Sequence, residues 1–255
     1  MKKGIDLTIT AWKEVKDTNY DVAVLPWGAT EPHNLHLPYG TDSILSYEIA
    51  CMSVEKALLK GIRCIVLPAV PFGSQNPGQT DLMFCIHTRY DTQRAILTDI
   101  VASLNHQGLR KLVIVNGHGG NNFRNMIRDL AIDYPDFYIA VSDWYTVEKG
   151  ASYFDVPGDH ADELETSVMM HFHPEWVLPL ENAGNGDSKT FSIPALLNKQ
   201  AWMPRHWTKV TSDTGIGNPK AATAEKGKRF ADSVTDSLAQ FLVDFTNTGA
   251  DNLYK

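Results

Sequence analysis

The chain has 255 residues, of which 43% are hydrophobic and 21% charged, so it can bury a large core and is neither a disordered nor a fibrous sequence. A net charge of −7 gives no general attraction to nucleic acid or to anionic membranes, so a small or neutral partner is expected. Cys51, Cys64 and Cys85 form no CxxC pair and no disulfide framework, and no apolar stretch reaches the roughly 20 residues of a membrane span or the pattern of a signal peptide. A protein of the reducing cytoplasm, free of nucleic acid and membrane, is the expectation.

In chain order, short apolar runs at 22–26, 63–70, 111–115 and 137–142 suit strands buried on both faces. Between them, 43–60 and 91–106 place apolar residues at spacings of three and four, and 122–132 can form a shorter helix. Alternation of this kind predicts an α/β fold with a parallel sheet covered by helices on both sides. Beyond Asp143 a loop leads to a helix at 162–172 that stops before Pro174. An irregular stretch rich in Pro, Asn, Gly and Trp occupies 175–219, and an amphipathic helix at 220–245 follows Asn218-Pro219. One domain over residues 1–255 accommodates all of this.

Ligands of open α/β sheets bind beyond the carboxyl ends of the strands, and the residues after the four runs are unusually polar: WGATEPHNLHLPYGTD, PFGSQNPGQTD, NGHGGNN and DWY. Glu31, His33, His36 and Asp42 fall within twelve residues, and in an extended segment Glu31 and His33 project to one side. Mixed nitrogen and carboxylate donors suit zinc, manganese or iron. The plainer reading makes Glu31 and His33 ordinary loop polars and Asp42 the N-cap of the next helix. His118, after another strand, points to the same edge. Its glycine-rich turn could instead cradle a phosphate, although it has neither the GxxxxGK[ST] pattern nor a nearby lysine. GDHADELETS supplies Asp159, His160, Asp162, Glu163 and Glu165. Asp162 and Glu163 are explained by helix capping and the macrodipole, whereas His160 stands where a proton shuttle would be needed.

These segments together resemble the signatures of the creatininase family: WGATEPHNLHLPYGTD, VNGHGGN, HADELETS and, near the C-terminal end, GNPKAATAEKG, in the family's order from about Val24 to Gly227. The resemblance implies a three-layer αβα sandwich with a mainly parallel sheet, a site for two divalent metal ions (zinc, manganese or iron), and hydrolysis of a small or non-peptide amide C–N bond. It matches Glu31, His33, Asp42 and His118 to metal ligands, with Asp42 bridging. It also matches His160 to a histidine of proton transfer and Trp144 to a tryptophan near the substrate. Two positions depart from creatininases proper. Gly120 stands where they have a metal-binding glutamate, which makes Glu165 the replacement, and Val156 stands where they have a tryptophan over the substrate.

Glu163 shares with His160 the expectation of proton donor to the leaving nitrogen, and Asp159 that of orienting a substrate amine or hydroxyl. Members with the GHGGN form include enzymes acting on formylated pyrimidine precursors and on small peptides, so an amide other than creatinine is expected. The resemblance also implies a homo-oligomer, a hexamer, for which Trp176, Trp202 and Trp207 are candidate interface residues. The competing readings are a non-catalytic small-molecule binder, favoured by the glycine at 120, and a phosphate- or nucleotide-binding enzyme built on NGHGGNN.

Overall fold

A computed structural model describes residues 4–254. Strands β1 (Val22–Trp27), β2 (Cys64–Val66), β3 (Lys111–Asn116) and β4 (Tyr138–Asp143) form a parallel sheet in the order β2-β1-β3-β4. Val24 is in register with Val66 on one side and with Val113 on the other, and Val113 with Ala140. The longer helices are α1 (Thr41–Leu59), α2 (Tyr90–His106), α3 (Arg124–Asp133), α4 (Glu163–Phe172) and α5 (Ala224–Asn247).

The period-two alternation of each strand separates two apolar layers. Val22, Val24, Val113 and Val115 pack toward α1, α4 and α5, together with Leu45, Ile49, Val168, Phe230 and Val234. Ala23, Leu25, Trp27, Leu112 and Ile114 pack on the opposite face toward α2 and α3, with Leu97, Val101, Met126 and Leu130. The expected αβα sandwich is therefore the observed one, and no helix of the described residues is long and apolar enough to cross a membrane.

The differences from the sequence reading lie at element ends. The run at 63–70 makes regular strand only over Cys64–Val66, because Pro68 has no amide to continue the ladder. An isolated bridge between Trp27 and Val70 extends the pairing beyond it. Helix α1 opens at Thr41 with Gly40 as its N-cap, so Asp42 lies inside the first turn, buried, and is not the cap. The last helix starts at Ala224, because Pro219–Ala221 form a separate turn and Thr223 caps α5 by accepting from the Lys226 amide. Asp162 caps α4 as its position suggested, its carboxylate accepting from the Glu165 amide at 3.1 Å.

Candidate metal centre

Two glycines bring the first turn of α1 against the ends of β1 and β3. A Cβ on Gly28 would lie 2.4 Å from the Ser43 amide nitrogen, and one on Gly117 would lie 2.5 Å from the Asp42 carbonyl oxygen. Any side chain there would push the helix away, so these glycines seat Asp42 between the loop after β1 and the turn after β3. Ser46 tightens the joint, its hydroxyl donating to the Asp42 carbonyl at 2.6 Å.

Around Asp42 the structure gathers Glu31, His33, His118, His160 and Glu165. His33 Nε2 lies 2.9 Å from Asp42 Oδ1, while His118 Nδ1 lies 3.0 Å from Glu31 Oε1 and 3.1 Å from Asp42 Oδ2. His160 Nδ1 is 3.6 Å from Glu31 Oε1, and its ring centroid is 4.3 Å from that of His33. Glu165 joins from the first turn of α4. The donor atoms form three compact sets: Glu31 with Asp42 and His118, His33 with Asp42 and Glu165, and Glu31 with His33 and His160, each within 4.8 Å. Donors sharing one transition-metal ion stand roughly 3–4 Å apart, so the first two sets have the chemistry and the spacing for one divalent cation each, with Asp42 common to both.

All three histidines are oriented in the same way. His33 donates from Nδ1 to the Glu31 carbonyl at 3.0 Å, His118 from Nε2 to the Ser74 carbonyl at 2.6 Å, and His160 from Nε2 to the Pro32 carbonyl at 2.9 Å. The outer nitrogen of each ring is fixed on the backbone, and the inner one is turned to the carboxylates, as in the supporting shell of metal-ligating histidines. Glu31 is anchored in turn by Gln79, whose amide donates to Oε2 at 2.5 Å.

Electrostatics follow from this packing. Burial opposes charge on His33, but Asp42 overrides it and pushes the imidazole up to about 10; His118 is likewise raised, against burial, by Glu31 and Asp42. Burial works to raise Asp42 and Glu31, yet the adjacent imidazoliums hold both carboxyls below the usual range. Burial, against the pull of His33, lifts Glu165 to about 8, and burial together with His33 lowers His160. Without metal, protons on His33 and His118 occupy the nitrogens that a cation would take, and His160 stays a neutral base.

Other expected residues fall elsewhere. Glu163 is buried on the far side of α4, two residues from Glu165. Its carboxylate accepts from Lys226 Nζ at 2.5 Å and from the amides of Asp155 and Val156 at 2.9 and 2.7 Å, so it fixes the loop before His160 and is not brought to the cluster. Trp144 is buried in the apolar layer, edge-on to Phe230, and its Nε1 has no hydrogen-bond partner among the described residues. Asp159 is exposed and pairs with Arg205 at 2.6 Å. That guanidinium lies over the Trp207 ring, and Trp207 meets His160 edge to face at 5.2 Å. Trp207 is thus a buried wall beside His160, whereas Trp202 and Trp176 remain exposed.

Gly120 is enforced by its surroundings, since a Cβ there would lie 2.1 Å from the Ser74 carbonyl and 2.5 Å from His118 Nε2. Two of the turn's amides are spent internally. The His118 amide donates to the Asn116 side chain at 3.2 Å, and the Asn121 amide to the His118 carbonyl at 3.1 Å. Sequence reasoning missed Gln79 and the Ser74 carbonyl. The only signal was the polarity of PFGSQNPGQTD after the second run, and a backbone carbonyl leaves no trace in residue identity.

A parallel α/β sheet with a buried His–carboxylate cluster at its carboxyl edge has the donor groups of a metal-binding protein. The creatininase profile, described as creatinine amidohydrolase, matches residues 8–242, and the chain belongs to that family. It is 29% identical to a mycofactocin precursor peptide peptidase of Mycobacterium ulcerans (85% of this chain, 83% of the relative), and 25% identical to a creatinine amidohydrolase of Pseudomonas putida (94% and 96%). Among solved structures, a candidate creatinine amidohydrolase from Bacteroides fragilis superposes with a TM-score of 0.96 at 56% identity over all of both chains. A manganese creatininase superposes at 0.80 with 21% identity, over 96% of this chain and 99% of that one, which establishes the shared fold.

Proposed function

We propose that this chain is a two-metal amidohydrolase of a small amide or formamide other than creatinine. Glu31, Asp42 and His118 would hold one ion, His33, Asp42 and Glu165 the other, with Asp42 bridging. The observation that carries the reading is Asp42 itself. It is buried between two inward-turned imidazoles and shared by two donor sets, and a bridging carboxylate offsets the repulsion of two cations. Zinc and manganese both suit the donors, and relatives of this fold include manganese and zinc creatininases.

Bound divalent ions supply Lewis acidity, polarising a carbonyl and lowering the pKa of water. The protein's share is orientation and proton transfer. His160, neutral and fixed through Nε2 on the Pro32 carbonyl, presents Nδ1 to the cluster and carries a proton from water to the leaving nitrogen. This reading gives the step to His160 and not to Glu163, whose carboxylate is engaged by Lys226 and two amides. Asp159 and Arg205 form a charged pair outside His160 that can orient a polar substrate group, and Trp144 backs the Gly117 turn from the core.

The Pseudomonas relative is a creatinine amidohydrolase and the Mycobacterium relative a peptide peptidase, so both substrate types belong in the test. Elemental analysis of the purified protein should give two transition-metal ions per chain, followed by turnover in a screen of cyclic amides, formamides and short peptides. A metal-free, inactive protein under all metals tried would refute the assignment. We further propose a cytoplasmic homo-oligomer, a hexamer, which the exposed Trp202 and Trp176 and the free cysteines support. Light scattering near 28 kDa at all concentrations would reject it.

A further inference from the structure

Tyr145 is the second residue after β4, next to Trp144, and its ring meets that indole nearly perpendicularly with centroids 6.0 Å apart. The ring is partly buried against the core, which fixes its direction. A Cβ on Gly119 would meet only Tyr145 Oη, at 3.6 Å, so the phenol reaches into the space left by the missing side chain next to His118. Its hydroxyl makes no hydrogen bond to another described residue and is not sealed from solvent. It also stands within the electrostatic reach of Asp143, Glu165, Asp42 and Asp159. A rigidly held donor with no acceptor among the described residues, standing against the turn that carries His118, is a group available to a ligand.

We propose that the Tyr145 hydroxyl donates a hydrogen bond to the carbonyl oxygen of the amide being cleaved, an inference that rests on the hydrolase reading above. During hydrolysis water adds its oxygen to the carbonyl carbon, the C–N bond breaks, and His160 carries the water proton to the departing nitrogen. Negative charge accumulates on the carbonyl oxygen meanwhile. A preorganised neutral donor at that oxygen stabilises the developing charge without adding another anion. Burial first, and then the surrounding carboxylates, raise the phenol above its ordinary value, so Tyr145 keeps its proton throughout and acts only as a donor. Gly119 is the complement of this arrangement, since a larger side chain there would compete for the same space.

The test uses zinc-loaded wild-type and Tyr145→Phe proteins and acetohydroxamate, a small ligand whose carbonyl oxygen approaches such metals, with affinity read by calorimetry and zinc content by elemental analysis. The phenylalanine variant keeps the ring against Trp144. Unchanged zinc content and melting temperature with affinity weakened about tenfold or more would support the inference. Equal affinity would overturn it, as would loss of zinc from the variant, which would make Tyr145 a support of the metal ligands. If the zinc-loaded wild type binds no acetohydroxamate, the hydrolase reading falls and this inference with it.

Discussion

The carbonyl oxygen of Ser74 accepts the Nε2 proton of His118 at 2.6 Å, and it lies where a side chain at position 120 would have to begin. The loop after β2 therefore does two things at once: it fixes the orientation of His118, and it leaves no room for a side chain two residues further along. In the proposed donor sets that place is taken from α4, by Glu165.

Gly120→Ala should show this directly. A Cβ 2.1 Å from a backbone oxygen cannot be absorbed by a side-chain shift, so the loop or the histidine must move. Overpacking of this kind costs about 1–3 kcal/mol. A lowered melting temperature with reduced metal content is expected, and Gly120→Glu should fare no better. Wild-type stability and stoichiometry in either variant would contradict the packing argument.

Two substitutions separate the ligand sets. Glu165→Gln should drop the metal content from two ions to one, whereas Asp42→Ala should remove both, because Asp42 belongs to both sets. Elemental analysis against a circular dichroism control for folding reads the difference. Two ions retained in Asp42→Ala would rule out a bridging role.

Metal uptake should release protons. Glu165 is raised to about 8 and His33 to about 10, so near neutral pH both are largely protonated in the metal-free protein, and each must lose its proton to become a ligand. Affinity should rise with pH through 7 and 8, where Glu165 deprotonates, and keep rising more slowly above that because of His33. Calorimetry in two buffers of different ionisation enthalpy measures the protons released; a heat independent of buffer would contradict the assignment.

Creatinine should be a poor substrate. Val156 is half-buried with its amide tied to Glu163, so no indole covers a ring at that position. Phe154 and Tyr153, which could have replaced it, are packed on Phe230 instead. Loss of aromatic stacking alone removes ~0.5–1.5 kcal/mol beyond buried area. A kcat/KM for creatinine above roughly 10⁴ M⁻¹s⁻¹, with zinc or with manganese, would show the substrate inference to be mistaken.

Much of this architecture was legible in the sequence because hydrophobic periodicity is a local property. The four apolar runs marked the four strands, and the polar segments after them marked the edge where the site lies. Glu31, His33, Asp42 and His118 could be grouped from the sequence because each sits just past a strand or at the start of a helix, positions that a parallel sheet brings together. Helix geometry could have separated Glu163 from Glu165, since residues two apart on α4 face opposite ways. The partners that decide their roles, however, come from distant segments: Lys226 for Glu163, and His33 and Asp42 for Glu165. The burial of Trp144, the exclusion at Gly120 by the Ser74 carbonyl, and the approach of the Tyr145 hydroxyl to Gly119 likewise depend on atoms far apart in the chain. Residue identity determined which groups could bind metal, and close packing in three dimensions decided which of them meet.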